Sequence, residues 1–565
     1  MGTKMEKLWL KSYPPGVPAE IDADRLPSVA AFLDQSCARF GDKTAFISLG
    51  QTLSFRELEV HARAFAGWLQ GQGIKPGTRV ALMMPNLLQY PVAMYGILRA
   101  GCVVVNCNPL YTPRELEYQL QDSGAEAIVV LENFAHTLEQ VVATTRIRKI
   151  VVTTMGDMLK GIKGPLIKFA VRRIKRLVPK WSLPGATTWK QAMQLGAAQG
   201  FVPVEIRNSD LAFLQYTGGT TGVCKGAMLT HRNICANILQ AQQWLKISIR
   251  EGEELIVTAL PLYHIFAMTA NCLTFILFGG QNLLIVNPRD LGAFIKELGK
   301  YRFTIITGVN TLFNALLNHP KFARIDFSTL KISVGGGMAV QEEVARRWKA
   351  TTGCAMLQAY GLSETSPGVT LDPLELKEFR HSIGLPLSST EISIRTDDGD
   401  ELPLGETGEI CVRGPQVMQG YWQRPDETAI VMTEDGFLRT GDIGFVDAEG
   451  YIHFVDRKKD VIMVSGFNVY PNEIEEVLVQ HPGVKEAAAI GIPSDHSGET
   501  VKAFIVRRDP ELSADEVIRH CRAHLTRYKV PHAVEFCEDL PHTTVGKVLR
   551  RELRQREREK PVANG

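Results

Sequence analysis

Two periodicities alternate along most of the chain. Short apolar runs rich in β-branched residues, RVALMMP (79–85), CVVVNCNP (102–109), AIVVL, KIVVTT, FTIITG and KISVGGG, are separated by stretches with helical spacing such as Leu87 to Ala100. Strands that alternate with helices in this way form parallel sheets covered by helices, so the pattern predicts an α/β fold. After about Leu371 the rhythm changes to short strands and turns, EISIRTDDGDELPLGETGEICVRG (391–414), which predicts a small antiparallel or β-barrel-like unit. A compact piece follows beyond Asp456. The expected organisation is a large N-terminal lobe of parallel α/β subdomains over 1–455, closing with the barrel-like unit, and a small α+β C-terminal lobe over 456–565.

Leu255 to Pro288 contains no Asp, Glu, Lys or Arg, which invites a membrane span. Pro261, the polar pair Tyr263-His264 and the run Gly279-Gly280-Gln281-Asn282 divide it into a strand (LIVTAL), a helix of about Phe266 to Phe278 and a second strand (LLIV). Each piece is shorter than the roughly 20 apolar residues a bilayer demands, so a buried core is expected. A length of 565 residues with 45% hydrophobic and 22% charged residues excludes disorder and fibre. Lys+Arg 63 against Asp+Glu 61 leaves a net charge of +2, so no global field selects nucleic acid and electrostatic function is local. Ten scattered cysteines without a C-x-x-C favour reduced thiols in a cytoplasmic protein, and MGTKMEKLWLKSYPPG lacks the apolar region of a secretion signal.

One local field stands out. Leu159 to Lys180 holds eight basic residues and no acidic one, leaving the remainder of the chain near −6. Between Pro165 and Pro179, Ile167, Ala170, Val171, Ile174, Leu177 and Val178 recur at helical spacing, with the cations largely on the other face and Trp181 just beyond. An interfacial helix on the anionic inner face of the cytoplasmic membrane has this pattern. A solvated basic face whose apolar stripe packs on the protein has it too, and both readings stay open. The end RRELRQREREK (550–560) mixes both signs and reads as a solvated helix.

The stretch from Tyr216 to Gly226, YTGGTTGVCKG, gathers hydroxyls (Tyr216, Thr217, Thr220, Thr221), four glycines (Gly218, Gly219, Gly222, Gly226) and Lys225 after the apolar LAFLQ. Such a loop can aim backbone N–H groups, hydroxyls and one cation at phosphate oxygens. Cys224 and Gly226 stand where a Walker A loop with this lysine needs Gly and Ser/Thr, so it is a different phosphate loop. YGLSET from Tyr360 to Thr365 alone could cap a helix. Gly335-Gly336-Gly337 follows the strand KISV but lacks the further Gly of a dinucleotide fingerprint. His264 in PLYHIFA, DGFLRTGDIG ending at Gly444, the charged run from Asp456 to Asp460, Gly466-Phe467-Asn468 and PHTTVGK ending at Lys547 complete the candidate set.

Together these stretches resemble the adenylate-forming, or acyl-activating, enzymes, and among them the bacterial long-chain fatty acid–CoA ligases, from LWLKSYP near the start to VGKVLRREL near the end. The resemblance implies roles for matching residues. The loop Thr217 to Gly222 and Lys225 would bind the ATP phosphates, although Gly218 and Cys224 stand where many members have Ser/Thr and Pro. Glu364 would help hold Mg²⁺ and Thr365 would contact the α-phosphate. Tyr360, beside Gly361, would stack on adenine opposite a wall of Gly335, Gly336 and Gly337. Asp442 would accept the ribose hydroxyls, with Arg457 near ribose and phosphate. Lys459 would be the pivot of a hinge at 456–460, and Lys547 would reach from the small lobe into the site of the large one. His264 would stand at the mouth of the acyl pocket, and Gly466 and Phe467 would line the passage for CoA. The segment 302–318, with apolar residues around the small Gly308, resembles the long-chain ligases.

The implied chemistry overcomes an inert substrate, since a carboxylate repels nucleophiles and has a poor leaving group. Attack of its oxygen on the α-phosphorus of ATP gives an acyl-adenylate, from which CoA thiolate displaces AMP. The expected partners are a fatty acid, ATP and CoA, with Mg²⁺ as cofactor, an anionic membrane surface through 159–180, and no nucleic acid; a homodimer stays open. Alternatives within the class are an aryl- or medium-chain acyl-CoA ligase or a fatty acyl-AMP ligase. From another class, a membrane-recruited, non-catalytic nucleotide sensor would use the phosphate loop and the basic segment but would need neither Lys547 nor Glu364.

Overall fold

The computed structural model describes residues 7–218, 224–494, 497–543 and 546–560. Two large sheets carry the first two thirds of the chain. The 7-stranded sheet runs in the order Thr187–Thr188, Lys149–Thr153, Ala127–Leu131, Arg79–Met83, Val103–Asn106, Leu211–Gly218, Cys224–Thr230. Every neighbour is parallel except the last pair, a hairpin that holds the phosphate-loop candidate at its turn. The 9-stranded sheet has a parallel centre from Met356–Gly361 through Ile332–Gly336, Ile305–Gly308, Leu255–Thr258 and Gln281–Leu284 to Thr44–Ser48, with antiparallel strands at both edges. AIVVL is buried at all five positions, as a strand covered on both faces must be.

Helix starts follow the side chains that cap them. Ser54–Glu57, Thr112–Glu115, Thr188–Gln191 and Thr230–Asn233 each form a reciprocal capping box. The charge-free stretch after Leu255 divides as its breakers predict, into the strand Leu255–Thr258, a wide-turned helix Phe266–Leu273 continued by Thr274–Leu277, and the strand Gln281–Leu284. Among the described residues no helix is long and apolar enough to cross a membrane.

The unit after Leu371 is an open antiparallel sheet of four strands, Glu391–Arg395, Gly408–Arg413, Leu438–Val446 and Ile452–Arg457, with no barrel closure among them. A turn at Lys458–Asp460 leads to a 5-stranded sheet covered by the helices Pro471–Gln480, Ala514–His524 and Arg550–Glu559. The last helix is exposed at Arg551, Gln555, Arg556, Arg558 and Glu559, as a solvated end would be, but two of its arginines are anchored. Arg550 is buried and donates to both oxygens of Glu475 (3.0 and 2.7 Å) and to Asn472 (2.7 Å), while Arg554 bonds Asp460 at 2.6 Å. The mixed charges of this end therefore tie the helix to the start of the small lobe. Burial pushes the carboxyl of Asp456, which accepts the Arg457 and Asn472 N–H groups at 2.8 Å, up to about 6.

The 7-stranded sheet is backed by a close crossing of the helices Phe55–Gly71 and Trp189–Gln199. Phe65 stacks on Trp189 at 5.6 Å, and a Cβ on Gly196 would lie 1.8 Å from the Ala64 carbonyl oxygen. Helix propensity alone would favour Gly196→Ala by about 1 kcal/mol. Overpacking against backbone costs about 1–3 kcal/mol and wins, so this variant is expected to melt several degrees below the parent by calorimetry. An unchanged or raised Tm would show that the helices part without cost.

Candidate active site

Parallel pairing points carboxyl ends the same way, so Leu255–Thr258, Ile305–Gly308, Ile332–Gly336 and Met356–Gly361 all finish on one edge of the large sheet. Just past those ends come His264, Val309 and Thr311, Gly337, and the turn from Tyr360 to Thr365. Glycine keeps this floor bare. A Cβ on Gly361 would come within 1.9 Å of the Pro367 carbonyl oxygen, and one on Gly336 would meet Ala359 oxygen at 3.0 Å and the Phe266 ring at 3.1 Å. Gly335 packs on Val340, and the room Gly308 leaves is taken by the Phe313 ring at 2.9 Å.

The antiparallel sheet brings the next pair. Asp442 and Arg457 are register partners on adjacent strands, with Arg457 Nε 4.0 Å from Asp442 Oδ1. Tyr360 donates its hydroxyl to Asp442 Oδ2 at 2.7 Å. Burial raises the Asp442 pKa, with Arg457 opposing, and burial and the Asp442 charge raise that of Tyr360.

Lys547 arrives from the small lobe. Its turn is closed by Thr543, whose N–H donates to the Lys547 carbonyl at 2.7 Å and whose hydroxyl accepts the Lys547 N–H at 3.0 Å. Gly546, at φ +84°, lies on Thr311, which donates to its carbonyl at 3.2 Å, and a Cβ there would be 2.4 Å from the Thr311 hydroxyl. Lys547 Cε passes close above Gly337. Burial and the neighbouring Arg457 push the Lys547 amine down to about 8, against the pull of Asp442 and Glu364. Burial, helped by the Lys547 charge, holds His264 neutral with a pKa of about 3. The Phe266 N–H donates to His264 Nδ1 at 3.3 Å, which leaves the ring proton on Nε2.

Glu364 faces the hairpin of the other sheet. Its Oε1 accepts the Tyr421 hydroxyl at 2.8 Å and lies 3.5 Å from Thr217 Oγ1. Lys225 is buried, paired with Glu427 and 5.3 Å from the centre of the Tyr421 ring. The carboxylate suits Mg²⁺, which keeps waters and takes phosphate oxygens, better than a metal caged by protein. The His and acidic clusters found among the described residues, Glu342–His381–Glu476 and Glu486–Asp539–His542, lie elsewhere.

Several expected residues are placed otherwise. Tyr216 does not join the phosphate loop, because its hydroxyl donates to Asp122 Oδ2 at 2.7 Å on the opposite side of its strand. Thr365 is fully buried, with its hydroxyl turned to the Leu362 and Pro367 carbonyls. Gly466 and Phe467 form the tip of a hairpin, with Phe467 exposed and stacked on Tyr528 at 4.8 Å, apart from the Lys547 cluster. Lys459 is not displaced in this way: it is exposed on the turn Lys458–Asp460, the stretch expected as the hinge. Gly218 ends its strand opposite Cys224, while Gly219, Thr220, Thr221 and Gly222 lie outside the described residues. Tyr421, Glu427, Val309 and Thr311 were not singled out by sequence. The aromatic pair Tyr421-Trp422 in a loop before the helix Pro425–Val431 was the available signal for the first two.

Both lobes match known proteins. Residues 33–422 match the AMP-binding enzyme family model and residues 473–547 match the AMP-binding enzyme C-terminal domain. The chain belongs to the AMP-binding enzyme family. It is 57% identical over 554 residues to the long-chain-fatty-acid–CoA ligase of Yersinia pestis, covering 98% of each chain. Among solved structures it is similar to the anthranilate CoA ligase AuaEII in complex with anthranoyl-AMP (TM-score 0.83, 25% identity, 95% and 99% of the chains covered). It is also similar to ATP-bound MatB from Rhodopseudomonas palustris (TM-score 0.78, 28% identity, 93% and 99% covered).

Competitive acylation followed by mass spectrometry is expected to give Lys547 a titration midpoint near 8, against about 10.4 for an unperturbed lysine. Asp442→Asn removes a charge that favours the ammonium and should move the midpoint lower. A Lys547 midpoint that stays with the surface lysines would contradict the buried position.

Proposed function

We propose that this AMP-binding enzyme is an ATP-dependent long-chain fatty acid–CoA ligase that releases AMP and pyrophosphate. The observation that carries the reading is Lys547, held by a small-lobe turn deep in the large lobe, with Asp442, Arg457, Glu364 and His264 around it. The relatives named long-chain-fatty-acid–CoA ligase support the choice of substrate.

In the first half-reaction a carboxylate oxygen bonds to the α-phosphorus and the bond to the β-phosphate oxygen breaks, releasing pyrophosphate. Lys547 bridges carboxylate and α-phosphate and neutralises charge as it develops. Lys225, released from Glu427, and the loop from Thr217 to Gly222 hold the departing phosphates, while Thr365 keeps the turn beside the α-phosphate in shape. Mg²⁺ held by Glu364 would supply further charge neutralisation at the phosphate oxygens. Tyr360 takes the adenine face against Gly335, Gly336 and Gly337, and its hydroxyl orients Asp442 for the ribose, with Arg457 alongside. His264, neutral at working pH, marks where the acyl chain enters.

In the second half-reaction CoA thiolate bonds to the acyl carbon and AMP leaves with the former carboxylate oxygen. Sulfur needs the space that Lys547 occupies. The small lobe therefore turns about Lys459 and carries Gly466 and Phe467 in to line the thiol passage. Each acyl CH₂ buried contributes about 0.8 kcal/mol, so affinity climbs steeply with chain length. Long acids reside in membranes, and the working place of the ligase is a lipid surface to which it binds peripherally.

Lys547→Ala is expected to cut adenylate formation by about 10²–10³-fold while leaving thioester formation from supplied acyl-adenylate near normal. Loss of both half-reactions together would refute the assignment. The ammonium form is the active one and its pKa is depressed. In the parent enzyme kcat/KM for adenylate formation should therefore fall as pH rises through about 8, a limb the second half-reaction should lack.

A further inference from the structure

The basic segment is a rigid, outward-facing platform. A helix of regular turns, Lys163–Phe169, passes into a wide-turned end, Ala170–Ile174, and stops there, short of the expected Pro179, with Arg176 at φ +49°. The chain is pinned beneath. Lys160 pairs with Glu57 at 2.7 Å, Lys168 with Asp157 at 2.6 Å and Arg172 with the buried Glu132, while Asn133 donates to the Leu177 carbonyl at 3.0 Å. Gly164 lies so close to Gly156 that a Cβ there would be 2.6 Å from its carbonyl oxygen.

What faces outward does not suit water. Ile162, Leu166, Phe169, Ile174 and Leu177 are exposed by 78, 59, 58, 70 and 53%, five of the thirteen large apolar side chains so exposed among the described residues. Of the expected apolar stripe Val171 is buried and Ile167, Ala170 and Val178 are half-buried, so part of it packs on the protein, while Ile174 and Leu177, joined by Ile162, Leu166 and Phe169 from outside the stripe, face outward. Lys163, Arg173, Lys175, Arg176 and Lys180 make no ion pair among the described residues. An open cavity of about 380 Å³ is lined by the cations Lys168, Arg172 and Arg173 and the apolar Phe169 and Val178.

We propose that this platform docks the ligase on a membrane rich in anionic phospholipid, with one headgroup phosphate held in the cavity beside Arg172 and Arg173 and the exposed apolar side chains sunk into the acyl boundary. Charge complementarity selects the partner, since the segment has five cations without an ion pair among the described residues and no acid of its own, on a chain whose remainder is near −6, which sets the orientation of approach. Apolar side chains set singly among cations match a lipid interface better than nucleic acid, which offers nothing to bury them. The inference gives a specific surface to the peripheral location stated above, and its test reads binding apart from turnover.

The full-length protein is mixed with phosphatidylcholine vesicles, with or without phosphatidylglycerol, and sedimented. Binding is expected only with phosphatidylglycerol and should fall by about tenfold or more in Arg173→Glu/Lys175→Glu. Ile162→Ser/Ile174→Ser, which keeps every charge, should bind weakly and lose the salt-resistant fraction. Both variants should retain the parent's Tm and its rate of acyl-CoA formation from a soluble medium-chain acid. Failure of the parent to bind, or parental binding by both variants, overturns the docking surface even if ligase activity is intact. Binding equal with and without phosphatidylglycerol overturns the headgroup site.

Discussion

An ammonium carried by one lobe is set against the other near Asp442 and Glu364, whose charges pull on it without a direct ion pair among the described residues. Burying a charge is costly unless opposite charges and polar groups replace water, and here Asp442 and Glu364 do so only in part, against Arg457 and Lys459. The amine is therefore less content in its seat than in solvent. That imbalance lowers the amine to about 8.

The large lobe contributes geometry in place of charge. Parallel strands end together by construction, and glycines at 335, 336 and 361 let Val340, the Phe266 ring and the Pro367 carbonyl pack where a Cβ would stand. Tyr360 joins two sheets through one hydrogen bond to Asp442. The pair Tyr421 and Glu427 does similar work on the far side, bonding Glu364 and Lys225 respectively.

The α/β alternation, the division of the charge-free stretch and the convergence of Lys547, Asp442, Glu364 and His264 were legible in the sequence, because strand periodicity and short motifs are local properties. What was not legible depends on contacts between distant segments. Tyr216 has the hydroxyl a phosphate loop wants, yet a strand places alternate side chains on opposite faces, and its turn went to Asp122. Tyr421 sits some two hundred residues from Lys225 and belongs to no motif. The charges of 550–560 looked solvated, since nothing local shows that Arg550 meets Glu475 across the small lobe. The apolar stripe of 159–180 could be read two ways, and the structure divides it, with Val171 buried on the protein and Ile174 exposed.

The proposed function joins substrate supply to chemistry. Its central claim is that the fatty acid's own oxygen becomes bonded to the α-phosphorus. Turnover of a long-chain acid labelled with ¹⁸O in its carboxylate, with ATP, Mg²⁺ and CoA, tests this by mass spectrometry of the nucleotide product. The account predicts one labelled oxygen in each AMP and none in pyrophosphate. Unlabelled AMP, or label appearing with ADP and inorganic phosphate, would contradict it.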